Sequence, residues 1–335
     1  MSAVIQWIET YIMTGLSFQG AVAQGVIWGL LAIGVYLTYR ILDFADLSVE
    51  GTLGFGAAVS AILISKGMDP FLTLLVATGA GMLAGLATGV FNTVFKIPPI
   101  LAGILTMIGL YSITIRTMEG SANVSLFQYK RINTIIADLI KKIGIPEDMA
   151  PNISVLIIGV VFVAALIGLL YFFFGTEIGC SIRATGTNPK MARALGVNTD
   201  IMKVITLVIS NALVGLAGAL IAQTQGAADV QMGQGSIVIG LASIIIGEVI
   251  MCRKDHSFWY KLTAVVVGSV IYRIIYAATI APLGQRLGFK PYDTKMITAA
   301  IIAIALAVPV IRQTIAEKRK RAANRKAMNA NGGDR

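Results

Sequence analysis

Long apolar runs constrain this sequence more than any other feature. Several of them approach the ~20 residues that an α-helix needs to cross the hydrocarbon core of a membrane. Composition agrees, because 56% of the residues are hydrophobic and only 13% are charged, against about 25% charged in soluble domains. The sequence therefore predicts an all-α polytopic membrane protein. The runs lie at about residues 20–39, 51–65, 70–92, 99–116, 152–174, 201–223, 236–252, 259–281 and 295–312.

Two of these runs, 51–65 and 236–252, are short for a full crossing. We therefore expect eight or nine membrane segments, some of them short or re-entrant. Two similar stretches, ILAGILTMIGL at 100–110 and IVIGLASIIIG at 237–247, each have glycine in fourth place and follow a helix breaker. By the charge topology below they start from opposite sides, as in the inverted repeats of transporters. Two explanations of this match stay open, an inverted repeat and chance similarity.

Glycines are concentrated in the apolar runs rather than in turns. Gly81, Gly85 and Gly89 repeat every four residues, and Gly215 and Gly218 lie in the run at 201–223. Small residues at this spacing let helix backbones approach closely in lipid. The pattern predicts close helix packing.

Lysine and arginine near the ends of the runs predict the orientation. The tail contains KRKRAANRK, and the loop at 179–200 and the turn at Arg253–Lys254 are also basic. We expect these sites to share the cytoplasmic side, with the C-terminus inside and the N-terminus outside. No aromatic residues are interleaved with the basic tail, so we expect no nucleic-acid partner. The predicted regions are an interfacial segment at 1–19, a membrane domain at 20–312 with a cytoplasmic loop at 175–200, and a basic cytoplasmic tail at 313–335.

The sequence lacks the motifs of the common enzyme classes. A single histidine excludes most histidine-based metal sites and Ser-His or Cys-His catalysis in the membrane. Neither G-x-x-x-x-G-K-[ST] nor G-x-S-x-G occurs, so the chain has no P-loop for ATP. We predict no catalytic residue, no metal site and no cofactor bound by this chain. Energy for transport must then come from an ion gradient or from a partner.

RILDFADLSVEG, residues 40–51, carries three carboxylates at spacings of three and four. If the stretch is helical, they share one face. It can instead be an interfacial turn, with Ser48 as the N-cap of the next span and acidic residues at the positive end of the helix. In the other interpretation the stretch lines the translocation path. The path candidates are Asp43, Asp46, Ser48 and Glu50 here, and Thr106, Met107 and Tyr111 as an apolar wall with hydroxyls.

Arg273 is a further path candidate, because it lies well inside the run at 259–281. A charge there is costly unless it is relieved. Three interpretations stay open: the side chain snorkels outward beside Tyr272 and Tyr276, it bonds backbone carbonyls within the bundle, or it takes part in the path. Glu248 has the opposite charge but lies near the other end of its run, so we do not expect direct pairing.

A short helix is predicted between two long runs, outside the membrane. Asn188 is a suitable N-cap, Pro189 is favoured at the first helical position, and Gly196 can end the helix in the left-handed conformation. The residues between them are Lys190, Met191, Ala192, Arg193, Ala194 and Leu195. They form a rigid amphipathic peg on the cytoplasmic side, which suggests that another protein pushes against it.

IRATGTNPKMARALGVNTDIMKVITLVISNALVGLAGAL resembles the cytoplasmic loop and following helix of ABC-importer permeases of the branched-chain amino acid and ribose type. FADLSVEGTLGFGAAV and KIPPILAGILTMIGLYSITIR resemble a subgroup of these permeases assigned to tryptophan or tyrosine uptake. The resemblance implies that Asn188–Gly196 is the coupling helix, seated in a groove of a cytoplasmic ATPase. It also implies that two copies of this chain form the pore in the bacterial cytoplasmic membrane. Two ATP-binding subunits would carry ATP and Mg, and an extracytoplasmic binding protein would deliver the substrate.

The sequence thus predicts the permease subunit of a binding-protein-dependent ABC importer for aromatic or other hydrophobic amino acids. An ABC importer of sugars or nucleosides is one alternative, and an ion-coupled secondary transporter is another. Inverted segments favour the secondary transporter. However, ion coupling usually needs carboxylates at the midplane, and most acidic residues here lie near the ends of runs.

Overall fold

The computed structural model describes residues 16–142, 149–251 and 257–287, and four further helical positions at 296, 299, 300 and 303. The chain divides into two units, 1–278 and 279–335. Of the predicted regions, the interfacial segment at 1–19 is described only from residue 16. The run at 295–312 is described only at those four positions, and the basic tail at 313–335 lies outside the described residues.

The described ranges hold eleven α-helices and two short strands. In chain order these are α1 (Leu16–Tyr36), α2 (Ser48–Ser65), α3 (Pro70–Thr93), α4 (Pro99–Thr117), β1 (Asn123–Ser125), α5 (Ile132–Lys142), α6 (Ala150–Phe174), α7 (Glu177–Thr187), α8 (Pro189–Ala194), α9 (Thr199–Gln225), β2 (Ala227–Asp229), α10 (Ser236–Met251) and α11 (Phe258–Leu287). A π-helical turn, Leu37–Ile41, extends α1.

Seven of these helices are long and apolar enough to cross a membrane. They are α1 with its π-helical turn, α2, α3, α4, α6, α9 and the part of α11 up to Ala278. α10 is apolar but has only 16 residues. An all-α polytopic fold is therefore confirmed, with two three-residue strands added. The count of eight or nine segments stays a prediction, because the last run lies mostly outside the described residues.

Glycines bring α3 and α9 into backbone contact. A Cβ added at Gly81 or Gly85 of α3 would collide with a carbonyl oxygen of α9, and one added at Gly215 of α9 would lie 2.7 Å from the carbonyl oxygen of Ala77. This is the close packing that the four-residue glycine spacing predicts. It places α9 at the centre of the core, where most of its second half is buried.

α2 begins inside the bundle rather than at its surface. Ser48 lies within hydrogen-bond distance of Asn211, the thirteenth residue of the 27-residue α9. At 1.5 Å per residue, Asn211 is about 18 Å along a helix of about 40 Å. Near the far end of α9, Gln223 contacts Ser60 of α2 at 3.1 Å. The short run at 51–65 is thus a helix that starts at about half the length of α9.

α10 begins against the first turn of α2. The amide of Gly235 donates a hydrogen bond to Glu50 Oε1 at 3.0 Å, and a Cβ at Gly233 would collide with the carbonyl oxygen of Glu50. α9 ends near Ser60 of α2. Residues 226–235 therefore run back along α2, from the level of Ser60 to the level of Glu50. Two short helices therefore meet at their N-terminal ends within the bundle.

α2 and α10 leave this meeting point in opposite directions. α2 ends near β1 and β2, which pair antiparallel on what we call the β side. α10 runs towards Glu248, which pairs with Arg40 at 2.9 Å on what we call the α8 side. The stretch 100–110, which is similar to 237–247 in sequence, lies in the continuous helix α4. The helix that meets α10 end to end is α2.

Candidate functional site

The α8 helix has the local chemistry expected for the predicted peg. Asn188 Oδ1 accepts a hydrogen bond from the Met191 amide at 3.1 Å, and Pro189 opens the helix. Gly196 follows with φ of +85°, a conformation that glycine adopts without strain. The N-cap and the left-handed stop thus fix α8 at both ends.

α8 turns two apolar side chains outward. Met191 is 48% exposed and Leu195 is 73% exposed, and their spacing of four residues puts them on the same face. Ala192 is fully buried. Ala192 belongs to the segment that the resemblance implies is the coupling helix. Its side chain, however, faces the rest of its own chain and packs α8 against it. The outward surface of α8 is therefore an apolar edge beside the basic residues Lys190 and Arg193.

Polar contacts tie α8 to the membrane helices. Arg193 Nε donates to Thr199 Oγ1 at 2.7 Å, at the start of α9. Asp200 pairs with Lys96 from the α3–α4 turn at 3.0 Å and with Arg193 at 3.4 Å. Gly186 of α7 approaches the Ile41 carbonyl so closely that a Cβ would collide with it. Movement of α8 would therefore act on α9, on the α3–α4 turn and on the segment before α2.

Asp46 belongs to a buried hydrogen-bond cluster between α2 and α9. Its Oδ1 accepts from the Ser48 amide at 2.9 Å and from Ser48 Oγ at 2.5 Å. Its Oδ2 accepts from Asn211 Nδ2 at 2.8 Å, and Thr52 Oγ1 donates to Asn211 Oδ1 at 2.6 Å. All four side chains are buried. The cluster holds the deep start of α2 against the middle of α9.

The three carboxylates near the start of α2 lie in different environments, because residues 42–47 are not helical. Asp43 is exposed with φ of 55°, Asp46 is buried, and Glu50 reaches the start of α10. The stretch is therefore not one continuous helix, and the three carboxylates do not share a helical face. The predicted N-cap is also wrong, since Ser48 is already the first residue of α2, and its amide and hydroxyl both donate to Asp46 Oδ1.

We expect Asp46→Ala to destabilise the protein by about 2–4 kcal/mol, because two buried donors, Asn211 Nδ2 and the Ser48 amide, would lose their acceptor. Thermal unfolding of the purified chain in detergent measures the effect. Asp138→Ala is the control, since Asp138 is an exposed carboxylate on α5. Equal unfolding midpoints for the two variants would show that the cluster does not stabilise the fold.

The remaining path candidates lie on α4. Thr106 is buried and contacts Thr88 of α3 at 2.9 Å, so it joins two helices. Met107 lies beside the meeting point of α2 and α10, because a Cβ on Gly51 would be 3.0 Å from Met107 Cα. Tyr111, one turn further along α4, is 47% exposed. The structure thus brings Met107, Tyr111 and the region of Glu50 to one side of α4.

Tyr111 lines a cleft of about 340 Å³ on the β side. Ile115 of α4 also lines it, together with Asp229, Val230 and Gln231 from β2 and the segment that leads into α10. Residues 120–122 complete the lining. The volume lies at the lower end of the ~300–1,000 Å³ range of small-molecule sites.

Arg273 packs against aromatic rings. Its guanidinium lies 4.4 Å from the ring centroid of Trp28 on α1 and 5.6 Å from that of Tyr276. Such cation–π contacts stabilise a charge away from water. Of the three interpretations of Arg273, the structural role within the bundle agrees best with this geometry. The guanidinium contacts the faces of aromatic rings instead of the backbone carbonyls that were expected. Glu248 pairs elsewhere, as expected.

Three residues with buried or cleft-lining contacts were not among the predicted site residues: Asn211, Gln223 and Asp229. Asn211 and Gln223 are amides within a long apolar run, and that position was an available signal. Gln223 Nε2 contacts Ser60 Oγ, Thr73 Oγ1 and the Pro70 carbonyl, each at 3.1 Å. Asp229 gave no signal, because its place in the cleft depends on how residues 226–235 fold back.

Comparison with known proteins gives consistent similarities. A family model described as "Branched-chain amino acid transport system / permease component" matches residues 17–307. A tyrosine transport system permease protein of Clostridioides difficile (strain R20291) is 39% identical over 285 residues, which cover 85% of this chain and 88% of that protein. The ribose import permease protein RbsC of Escherichia coli (strain K12) is 23% identical, with 91% and 89% covered. The autoinducer 2 import system permease protein LsrC of Yersinia pseudotuberculosis (serotype O:3, strain YPIII) is 29% identical, with 66% and 58% covered.

Proposed function

Because the chain belongs to the family of branched-chain amino acid transport permease components, the membrane subunits of ABC importers, we propose that it carries an aromatic amino acid and is driven through α8 by a cytoplasmic ATPase. Two copies of this chain would form the pore with two ATP-binding subunits, which hold ATP and Mg. An extracytoplasmic binding protein would deliver the substrate to the β side. The C-terminus would be cytoplasmic and the N-terminus outside.

The observation that carries this proposal is the outward edge of α8. A six-residue helix would gain little by exposing Met191 and Leu195 to water, whereas burying them in a partner is favourable by roughly 25 cal/mol per Å² of apolar surface. The contacts of Arg193 and Lys96 with the start of α9 give a partner's movement a route into the membrane helices. This arrangement suits a permease that receives energy from another subunit.

The substrate class is supported by the relatives. The tyrosine transport permease is more similar to this chain, at 39% identity, than the ribose permease at 23%. A sugar remains the second candidate, because the ribose permease matches over 91% of this chain.

Uptake in cells that express the chain with its ATPase and binding protein tests the substrate. We expect labelled L-tyrosine to accumulate, and an excess of L-tryptophan or L-phenylalanine to compete more strongly than D-ribose. Cells with the ATPase gene deleted are the control and should show background uptake. Accumulation of ribose without accumulation of any aromatic amino acid would contradict the proposed substrate class.

A further inference from the structure

We propose that the cleft on the β side is a substrate subsite in which Asp229 binds the ammonium group and Tyr111 contacts the aromatic ring. This inference rests on the proposed function, because it assumes that an aromatic amino acid reaches the β side. It adds the residues that would recognise the substrate within the permease itself.

Asp229 is a fixed carboxylate in the wall of the cleft. The pairing of β2 with β1 places its backbone opposite Asn123. Its Oδ1 accepts a hydrogen bond from the Gln231 amide at 2.7 Å, which sets the side-chain direction. Within the described ranges, Asp229 forms no ion pair, and it is the one charged residue that lines the cleft.

Two charged residues adjoin cleft residues along the chain, and neither lines the cleft or forms an ion pair with Asp229 within the described ranges: Arg116 follows Ile115, and Glu119 precedes Gly120. Glu119 pairs with Lys66 at 2.9 Å. Among the residues that line the cleft, the charge is thus the negative one of Asp229. A primary ammonium group, with three donors and a positive charge, is the ligand chemistry that complements it.

Tyr111 supplies the aromatic part of the site. It is half-exposed and lines the same cleft as Asp229, so its ring is available to a ligand. Aromatic rings in offset or edge contact stabilise one another by about 0.5–1.5 kcal/mol beyond their buried area. An amino acid with an aromatic side chain would therefore offer an ammonium group to Asp229 and a ring to Tyr111. A neutral sugar would leave the charge of Asp229 without a counterion.

Asp229→Asn tests the ammonium contact. The amide oxygen can still accept from the Gln231 amide, so the local turn is kept while the charge is lost. In proteoliposomes containing the whole importer and saturating binding protein, we expect the maximal rate of L-tyrosine uptake to fall about tenfold or more, as for loss of a hydrogen bond between charged groups. Asp138→Asn, the same change at an exposed position on the β side, should retain the wild-type rate, and Asp229→Glu should recover part of it.

Tyr111 provides a second, independent test at an exposed position where folding is not at risk. Tyr111→Ala should be several-fold slower than the wild type, and Tyr111→Phe, which keeps the aromatic ring, should recover much of the rate lost in Tyr111→Ala. Wild-type rates in both Asp229→Asn and Tyr111→Ala would overturn the subsite and leave the proposed function standing. A wild-type importer that moves no aromatic amino acid would instead overturn the proposed function, and this inference with it.

Discussion

Leu195→Asp and Met191→Asp are expected to abolish ATP-driven transport while the chain still inserts into the membrane. Both side chains point away from their own protein, at 73% and 48% exposure, so a carboxylate there does not disturb the permease fold. If they are buried against an ATPase, each new charge lacks a partner and costs about 3–5 kcal/mol. That corresponds to a loss of roughly 10²- to 4 × 10³-fold in the affinity of the two subunits.

Co-purification of the ATPase with the permease and substrate uptake are the two measurements for this prediction. Leu139→Asp is the matched control, because Leu139 is also an exposed leucine, at 54%, but lies on α5 at the β side. We expect this control to retain the ATPase and to transport. Normal uptake by both α8 variants would show that α8 is not the contact with the ATPase.

Gly85→Val is expected to leave most of the protein molecules misfolded. A Cβ at Gly85 would collide with the Leu207 carbonyl and would lie 2.9 Å from Val208 Cα. These are backbone atoms of α9, which cannot move without displacing the central helix. Overpacking of cores typically costs about 1–3 kcal/mol and occasionally more, and a clash between two backbones belongs at the upper end of that range.

Gly79→Val separates this effect from the low helix propensity of valine. Gly79 lies on the same helix, and a Cβ there meets no atom within 4 Å. Size-exclusion chromatography in detergent should show a monodisperse peak for Gly79→Val, and a strongly reduced or aggregated one for Gly85→Val. Equal peaks would mean that α3 and α9 do not pack through their glycines.

The membrane helices and the short helix α8 can be predicted from the local sequence. In lipid every backbone polar group must be satisfied within the segment, so an apolar run of about 20 residues has little choice but to form a helix. Asn188, Pro189 and Gly196 likewise determine α8 through local capping chemistry. The glycine spacing in α3 predicted close packing, although its partner, α9, became known only from the structure.

The meeting of α2 and α10 could not be predicted in the same way. The two starts are about 185 residues apart in sequence, and their contact depends on the path of 226–235 through the bundle. Local spacing suggested a helical face for Asp43, Asp46 and Glu50, but Asp46 instead bonds Asn211, which is 165 residues away. Local spacing cannot show a partner that lies in the interior of α9.

The source of energy tests the central claim most directly. Vesicles that contain this chain, its ATPase and substrate-loaded binding protein can be supplied either with ATP or with an ion gradient alone. A permease driven through α8 should take up substrate only with hydrolysable ATP, and uptake should stop when the ATPase subunit is omitted. Uptake by vesicles that contain this chain alone, driven by an ion gradient without ATP, would contradict the account.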